Sequence, residues 1–356
     1  MYSHALVTGG AGFAGSALAL ALKSSNPKMR VTALDNLRRR GSELNLERLA
    51  RGEVAFVHGD VRSREDLAAI PAPDLMIECS AEPSAQAGYG GSAEYLVETN
   101  LIGCFHCLEL ARRVKADFVF LSTSRVYPYG LLNALRFEEG ETRFTMAHDQ
   151  DIAGASECGI AEGFPLAGAR SLYGMTKLAA EIMLAEYADA YGLRYVINRC
   201  GLLTGPYQMG KTDQGVMALW VAAHYFRRRI NYIGFGGNGK QVRDVLHIDD
   251  LCDLVIDQVQ NINAYQGSVF NVGGGVSRSL SLSETTQLCR EITGNEIAIG
   301  AESENRPADV RIYVSDHRKV SAVRGWQPKR DARTTLTDIL NWIRSDETRL
   351  RSYFAG

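Results

Sequence analysis

Thr8-Gly9-Gly10-Ala11-Gly12-Phe13-Ala14-Gly15 follows directly on the apolar run Ala5-Leu6-Val7, close to the N-terminus. A short buried strand that runs into a glycine-rich turn and then a helix is the arrangement that binds a dinucleotide. Glycines at 9, 12 and 15 let the backbone turn sharply, approach a pyrophosphate and seat the helix on the strand, while the helix N-terminus faces the anion. The spacing is Gly-x-x-Gly-x-x-Gly rather than Gly-x-Gly-x-x-Gly, so context has to carry the reading. Residues 16–22 continue as a strong helix former, and Val31-Thr32-Ala33-Leu34 reads as a second strand ending in Asp35, twenty positions beyond Gly15. A carboxylate there accepts hydrogen bonds from the adenosine ribose and repels a 2′-phosphate, which favours NAD over NADP. Arg38-Arg39-Arg40 is the opposing signal, because guanidinium groups can hold that phosphate. We read the three as a solvated face or the outer edge of the cofactor site.

Apolar β-like runs at 5–8, 31–34, 55–58, 75–79, 118–122 and 195–199 alternate with helical stretches. That alternation predicts an α/β fold, a doubly wound parallel Rossmann sheet. Beyond Arg199 the rhythm changes, with glycine-rich turns at 234–239 and 273–275 and a helix at 283–293. We therefore expect a cofactor domain over 1–200 and a smaller C-terminal α/β substrate domain over 201–356, with parts of 240–275 open to returning to the first. The polar, irregular stretch 127–165 reads as a functional loop. A formal charge of −2, 46% hydrophobic and 22% charged residues give no electrostatic case for nucleic acid or an anionic membrane. No apolar run approaches the roughly 20 residues that span a bilayer, so a cytoplasmic protein with a small-molecule partner is expected. Seven cysteines, an odd number, do not suggest disulfides. Cys104-Phe105-His106-Cys107 lacks a second pair to complete a zinc site and reads as core; no metal is expected.

Tyr173-Gly174-Met175-Thr176-Lys177 opens a long amphipathic helix, and the i to i+4 spacing puts tyrosine and lysine on one face. A phenol, ordinarily titrating near 10, becomes a workable base when an ammonium and a positive nicotinamide ring favour its phenolate. A hydroxyl at the end of the fifth strand, Thr123 or Ser124, can bond the reacting sugar oxygen. Asp60, after the third strand, can accept from an adenine amino group, with Val61 covering the ring.

With these elements the chain resembles the extended short-chain dehydrogenase/reductases, the superfamily of nucleotide-sugar epimerases and dehydratases, over nearly its whole length. The glycine turn, a Ser/Thr four residues before the tyrosine of a Val-Tyr pair (Val126-Tyr127 here) and the Tyr-x-x-x-Lys helix carry the likeness. The resemblance implies Thr123, Tyr173 and Lys177 as the catalytic residues. It implies cofactor contacts from Gly9, Gly12, Phe13, Ala14, Gly15, Asp35, Asn36, Asp60, Val61, Ala81 and Asn100, besides Tyr173 and Lys177. Within the superfamily, 200–206, Asp213-Gln214-Gly215, 239–247 and 159–166 resemble enzymes that invert C2 of a CDP-hexose. That likeness implies a diphosphate held by Arg243 and Arg306, and a substrate site that includes Glu82, Ser124, Arg125, Asn198 and Gln241. Pro128-Tyr129-Gly130 and the acid in Ser80-Ala81-Glu82-Pro83-Ser84 depart from the family pattern and bear on the substrate more than on the chemistry.

A 4,6-dehydratase needs an Asp-Glu pair directly after the threonine, where this chain has Ser124 and Arg125; dehydration is disfavoured. A 4-epimerase stays open, and a non-enzymatic NAD-binding regulator is the reading from another class. Family members pair through two helices, here 94–113 and 176–191, which implies a homodimer or homotetramer whose partner molecule is a nucleotide-diphosphate sugar.

Overall fold

Apolar strands covered on both faces give a parallel sheet its near-continuous hydrophobic runs, and Leu-Met-Ile and Phe-Val-Phe-Leu are runs of that kind. In the computed structural model, which describes residues 2–210 and 214–354, seven strands form this sheet. They are β1 (His4–Thr8), β2 (Arg30–Asp35), β3 (Ala55–His58), β4 (Leu75–Glu78), β5 (Asp117–Thr123), β6 (Tyr195–Cys200) and β7 (Ser268–Val272). Their order is β7-β6-β5-β4-β1-β2-β3. Ala5 of β1 pairs in parallel with Val31 of β2 on one side and Leu75 of β4 on the other. The strand order therefore reverses at β1, and the crevice beyond the carboxyl ends of such a switch point is where doubly wound sheets bind ligands.

Helix α1 (Phe13–Ser25) follows the glycine turn; α2 (Gly103–Val114) and α3 (Leu172–Tyr191) share a buried cluster with the sheet. Met76, Phe118 and Phe120 of the strands meet Cys104, Leu108 and Leu184 of the helices there. Cys104 and Cys107 are fully buried and free, and burial pushes both thiols well above their usual range, which suits the core role read from the sequence.

The chain divides into two compact units, and the division departs from one cut at 200. The first comprises residues up to Val126, Leu172–Arg199 and Leu251–Phe270; the second comprises Tyr127–Ser171, Cys200–Asp250 and Asn271 onward. Residues from 251 join the first unit because Leu251, Leu254, Val255 and Val259 give their helix one buried face and β7 then adds to the sheet beside β6. The stretch 127–171 clusters with the second unit. It holds a short helix, Tyr129–Asn133, and a hairpin of Phe137–Glu139 with Phe144–Met146. Phe144 packs with Val242, Ile312 and Val314, and its N–H donates to the Lys240 carbonyl at 3.0 Å. Three-residue strands are too short for an alternation to show in sequence, which is why the segment read as an irregular loop.

In the second unit Val242–His247 runs parallel to Leu202–Thr204 and Ile312–Tyr313 and antiparallel to Ser279–Ser281. Helix Leu282–Thr293 opens on a capping box, Ser281 and Glu284 each bonding the other's backbone N–H. Asp213 lies outside the described residues. Among the described residues no helix is long and apolar enough to cross a membrane.

Candidate active site

The chain leaves β1 at Gly9 with φ +61°, a left-handed conformation that glycine adopts without a Cβ penalty. A Cβ on Gly9 would lie 2.8 Å from the Cys79 carbonyl oxygen, one on Gly10 would lie 2.6 Å from Cβ of Ala33, and one on Gly15 would overlap the Gly9 carbonyl. Gly10, outside the three-glycine spacing, is thus held as tightly as the glycines the spacing selects. Gly12 caps α1 in extended conformation without a side-chain hydrogen bond, so no capping side chain competes with an anion for the leading N–H groups at Phe13, Ala14 and Gly15.

Asp35 ends β2 and accepts the N–H of Ala11 at 3.1 Å and of Leu37 at 2.8 Å, tying the turn to the strand. Burial pushes its carboxyl above the ordinary range despite those bonds. A carboxylate offers roughly four acceptor positions, so capacity remains for ribose hydroxyls. Asn36 donates to Asp60 at 2.9 Å, and Arg62 grips the same carboxylate through Nε and Nη2 at 3.1 and 2.7 Å. Burial opposes ionisation of Asp60, but the bonds from Arg62 and Asn36 outweigh it and bring the pKa to about 2.

The loop after β4, which includes Ala81, crosses Gly9 and is locked by Asn100. That side chain is 1% exposed: Oδ1 accepts the Glu82 N–H at 2.8 Å, and Nδ2 donates to the Glu82 carbonyl at 3.1 Å and the Thr176 hydroxyl at 3.3 Å. Asn100 lies where the helix widens into a π turn, Glu98–Ile102, a feature common at functional sites. The hydroxyls of Thr8 and Ser80, on either side of Gly9, are buried without a hydrogen-bond partner among the described residues; groups of this kind are satisfied by water or ligand. A glycine cradle, an uncapped helix start and unsatisfied hydroxyls fit a dinucleotide.

Tyr173, Lys177 and Glu181 occupy successive i, i+4 positions of α3 and so share one face. Glu181 anchors that face: it accepts from Arg199 at 2.6 Å and from Ser122 at 2.5 Å, all three buried. Ser122 precedes Thr123, the last residue of β5, so the anchor holds the helix against the strand end that carries the candidate hydroxyl. Lys177 is 2% exposed, with Nζ 3.5 Å from Oε2 of Glu78 and 4.5 Å from the centre of the Phe120 ring. Burial, the largest influence, disfavours the ammonium, but Glu78, and after it Tyr173 and the nearby thiols, together raise the pKa above that of a free lysine. Tyr173 is half-buried one turn away.

Several expectations change. Val61 is 5% exposed and packs in the core cluster. Asn198 is fully buried in a reciprocal pair with Gln258 at 2.8 and 2.9 Å and is a core residue, not a substrate contact. Asn100 spends its side-chain oxygen and amide on Glu82 and Thr176. Gln241 donates to the Ile233 and Gly234 carbonyls at 2.6 and 3.3 Å and so pins the glycine-rich turn of the second unit. Arg243 donates to Asp309 at 3.0 Å and to the Val310 carbonyl at 2.7 Å. Arg306 is partly exposed, as are Ser124 and Arg125 in the turn after β5. Glu82 is partly buried and accepts the Ser84 N–H at 3.2 Å.

The sequence profile of the NAD dependent epimerase/dehydratase family matches residues 5–273. The chain belongs to that family. A CDP-paratose 2-epimerase of Salmonella typhi is 31% identical over 352 residues, covering 96% of this chain and 99% of that protein. A UDP-glucose 4-epimerase of Halalkalibacterium halodurans is 28% identical over 355 residues, covering 95% and 94%. The solved structure of a UDP-glucuronic acid 4-epimerase from Bacillus cereus, in complex with UDP-glucuronic acid and NAD, shares the fold at a TM-score of 0.77 and 22% identity over 96% of this chain and 99% of its own. Membership of the NAD dependent epimerase/dehydratase family makes the protein an NAD-dependent enzyme of epimerase type.

Glu78 and the Glu181–Arg199 pair escaped the sequence reading of this family member. A faint signal existed for each: Glu78 ends an otherwise apolar strand, and Glu181 continues the four-residue spacing of Tyr173 and Lys177. Arg311 also escaped it. In the second unit its guanidinium stacks 4.0 Å from the Phe137 ring centre and 5.3 Å from that of Phe235, joining the hairpin to the glycine-rich turn.

Proposed function

We propose that the protein inverts C2 of a CDP-activated hexose, of the CDP-paratose to CDP-tyvelose type, through a transient 2-keto sugar. The observation that carries the reading is the joint placement, within one unit, of the glycine cradle, the Tyr173–Lys177 face and Thr123 at the end of β5. The choice of carbon rests on the 31% likeness to a CDP-paratose 2-epimerase.

NAD, when bound, would supply the hydride acceptor for the oxidation of the sugar carbon and the hydride donor for its reduction. The chain's own residues do the rest. Gly9, Gly12 and Gly15 with the start of α1 hold the pyrophosphate, and Asp35 holds the adenosine ribose. Tyr173 takes the proton of the C2 hydroxyl while Thr123 hydrogen-bonds the same oxygen. Lys177 stabilises the phenolate. Once the keto sugar presents its other face, Tyr173 returns the proton, so no net redox change results. Arg243 and Arg306 hold the diphosphate, a task suited to the planar guanidinium fork.

The second reading is a 4-epimerase, favoured by the UDP-glucose 4-epimerase likeness and requiring no residue this chain lacks. A dehydratase also needs a carboxyl pair where Ser124 and Arg125 stand. Deuterium at C2 of the CDP-hexose separates the readings. Inversion at C2 gives a primary isotope effect with the label and none with deuterium at C4; the reverse pattern establishes the 4-epimerase. A regulator retains its binding in Tyr173→Phe and shows no turnover to lose.

A further inference from the structure

We propose that Glu78 is the counterion that keeps Lys177 protonated, so that the proton given up by the Tyr173–Lys177 pair leaves the tyrosine. The inference rests on the reading of Tyr173 as the base. Glu78 ends β4 and its side chain is buried; Oε2 lies 3.5 Å from Lys177 Nζ, and Oε1 is buried with no hydrogen-bond partner among the described residues. Lys177 has no other ion pair there. The remaining neighbours are the Phe120 ring on β5, the thiols of Cys79 after β4 and of Cys104 on α2, and Tyr173 on its own helix. Cys107, also on α2, feels the Glu78 carboxylate electrostatically. Burial pushes the Cys104 and Cys107 thiols up, so they stay neutral and supply no charge.

A buried ion pair is a poor device for stability, since a well-packed apolar pair of similar volume often does as well or better. The rest of β4, Leu-Met-Ile, is apolar. A lone acid there, whose carboxyl burial pushes up and the Lys177 ammonium and the Ser80 N–H draw down, points to a task beyond packing. A lysine this deeply buried, left without its carboxylate, loses its proton; buried lysines titrate as low as about 5–6. A neutral Lys177 would no longer favour the phenolate, and Tyr173 would return toward the ordinary value near 10. Because the groups are coupled, what titrates first belongs to the set. The carboxylate decides which member loses the proton.

The test follows the tyrosinate absorbance of the NAD-loaded protein against pH, with the Tyr173→Phe spectrum subtracted to isolate Tyr173. Glu78→Gln should move the Tyr173 band to higher pH by about one pH unit or more. An unmoved band, or one moved to lower pH, overturns the assignment of Glu78 and leaves the proposed function standing. Absence of any Tyr173 band below its ordinary range in the unmodified protein overturns both. A second arm does not depend on the folding of Glu78→Gln alone. In Lys177→Met, which has no ammonium to sustain, adding Glu78→Gln should leave the band in place; a further movement would show that Glu78 acts independently of Lys177 and would overturn the proposal.

Discussion

In the proposed reaction Tyr173 and Lys177 divide the labour of one proton transfer, so truncating the phenol should cost the chemistry and spare the fold. Tyr173→Phe is expected to lower turnover on the order of 10²–10⁴-fold with an unchanged melting temperature and NAD affinity; turnover within a few fold of the unmodified enzyme would remove Tyr173 from the reaction. Asp60 gives a pH prediction. Its carboxyl titrates at about 2, below the ordinary value near 3.9. Its contribution to stability is therefore fully present above about pH 4 and is lost as pH falls toward 2. Asp60→Asn should flatten the acid limb of thermal stability in that window, and an identical limb would contradict the pairing with Arg62. Local sequence made Gly9, Gly15 and the Tyr-Lys pair legible through spacing within one turn or one helix, and Asp35 through its place at the end of a readable strand. Glu78 and Lys177 are 99 positions apart, and Asn198 finds Gln258 60 positions on. Nothing local announces such partners, so a polar residue at a strand end was read as a ligand contact when another side chain already satisfied it.

The glycine turn and α3 are the two elements on which the proposed chemistry depends. A methyl group at Gly15 would overlap the Gly9 carbonyl, so Gly15→Ala must push α1 away from the turn. NAD binding measured by titration calorimetry should weaken on the order of a hundredfold, as small displacements of a positioned group commonly cost; unaltered affinity would mean that the cradle does not bind the pyrophosphate. On α3, Arg199→Met would strand the buried Glu181 carboxylate. Chemical denaturation should show a loss of about 3–5 kcal/mol, and a loss under about 1 kcal/mol would show that the anchor is not needed to seat the helix. The six strands read at 5–8, 31–34, 55–58, 75–79, 118–122 and 195–199 were legible from their apolar runs, and β3 falls on the expected 55–58; Val242–His247 in the second unit was not read as a strand. The hairpin of Phe137–Glu139 with Phe144–Met146 was not, because its order comes from Phe144 packing on Val242 and Ile312, contacts about a hundred or more residues away.

The whole chain is threaded through its two units more than once. The alternating first half announced the sheet, and with it the family, but the assignment of 127–171 to the second unit and 251–270 to the first depends on burial that composition does not encode. The first unit carries the glycine cradle with Thr123, Tyr173 and Lys177, on which the proposed reaction rests. Proton NMR of CDP-paratose incubated with the protein, with and without added NAD, reads the outcome at the sugar itself through the H1–H2 and H2–H3 couplings. Conversion of the gluco-like pattern to the manno-like pattern is expected. A spectrum unchanged in the presence of NAD would contradict inversion at C2 of this sugar.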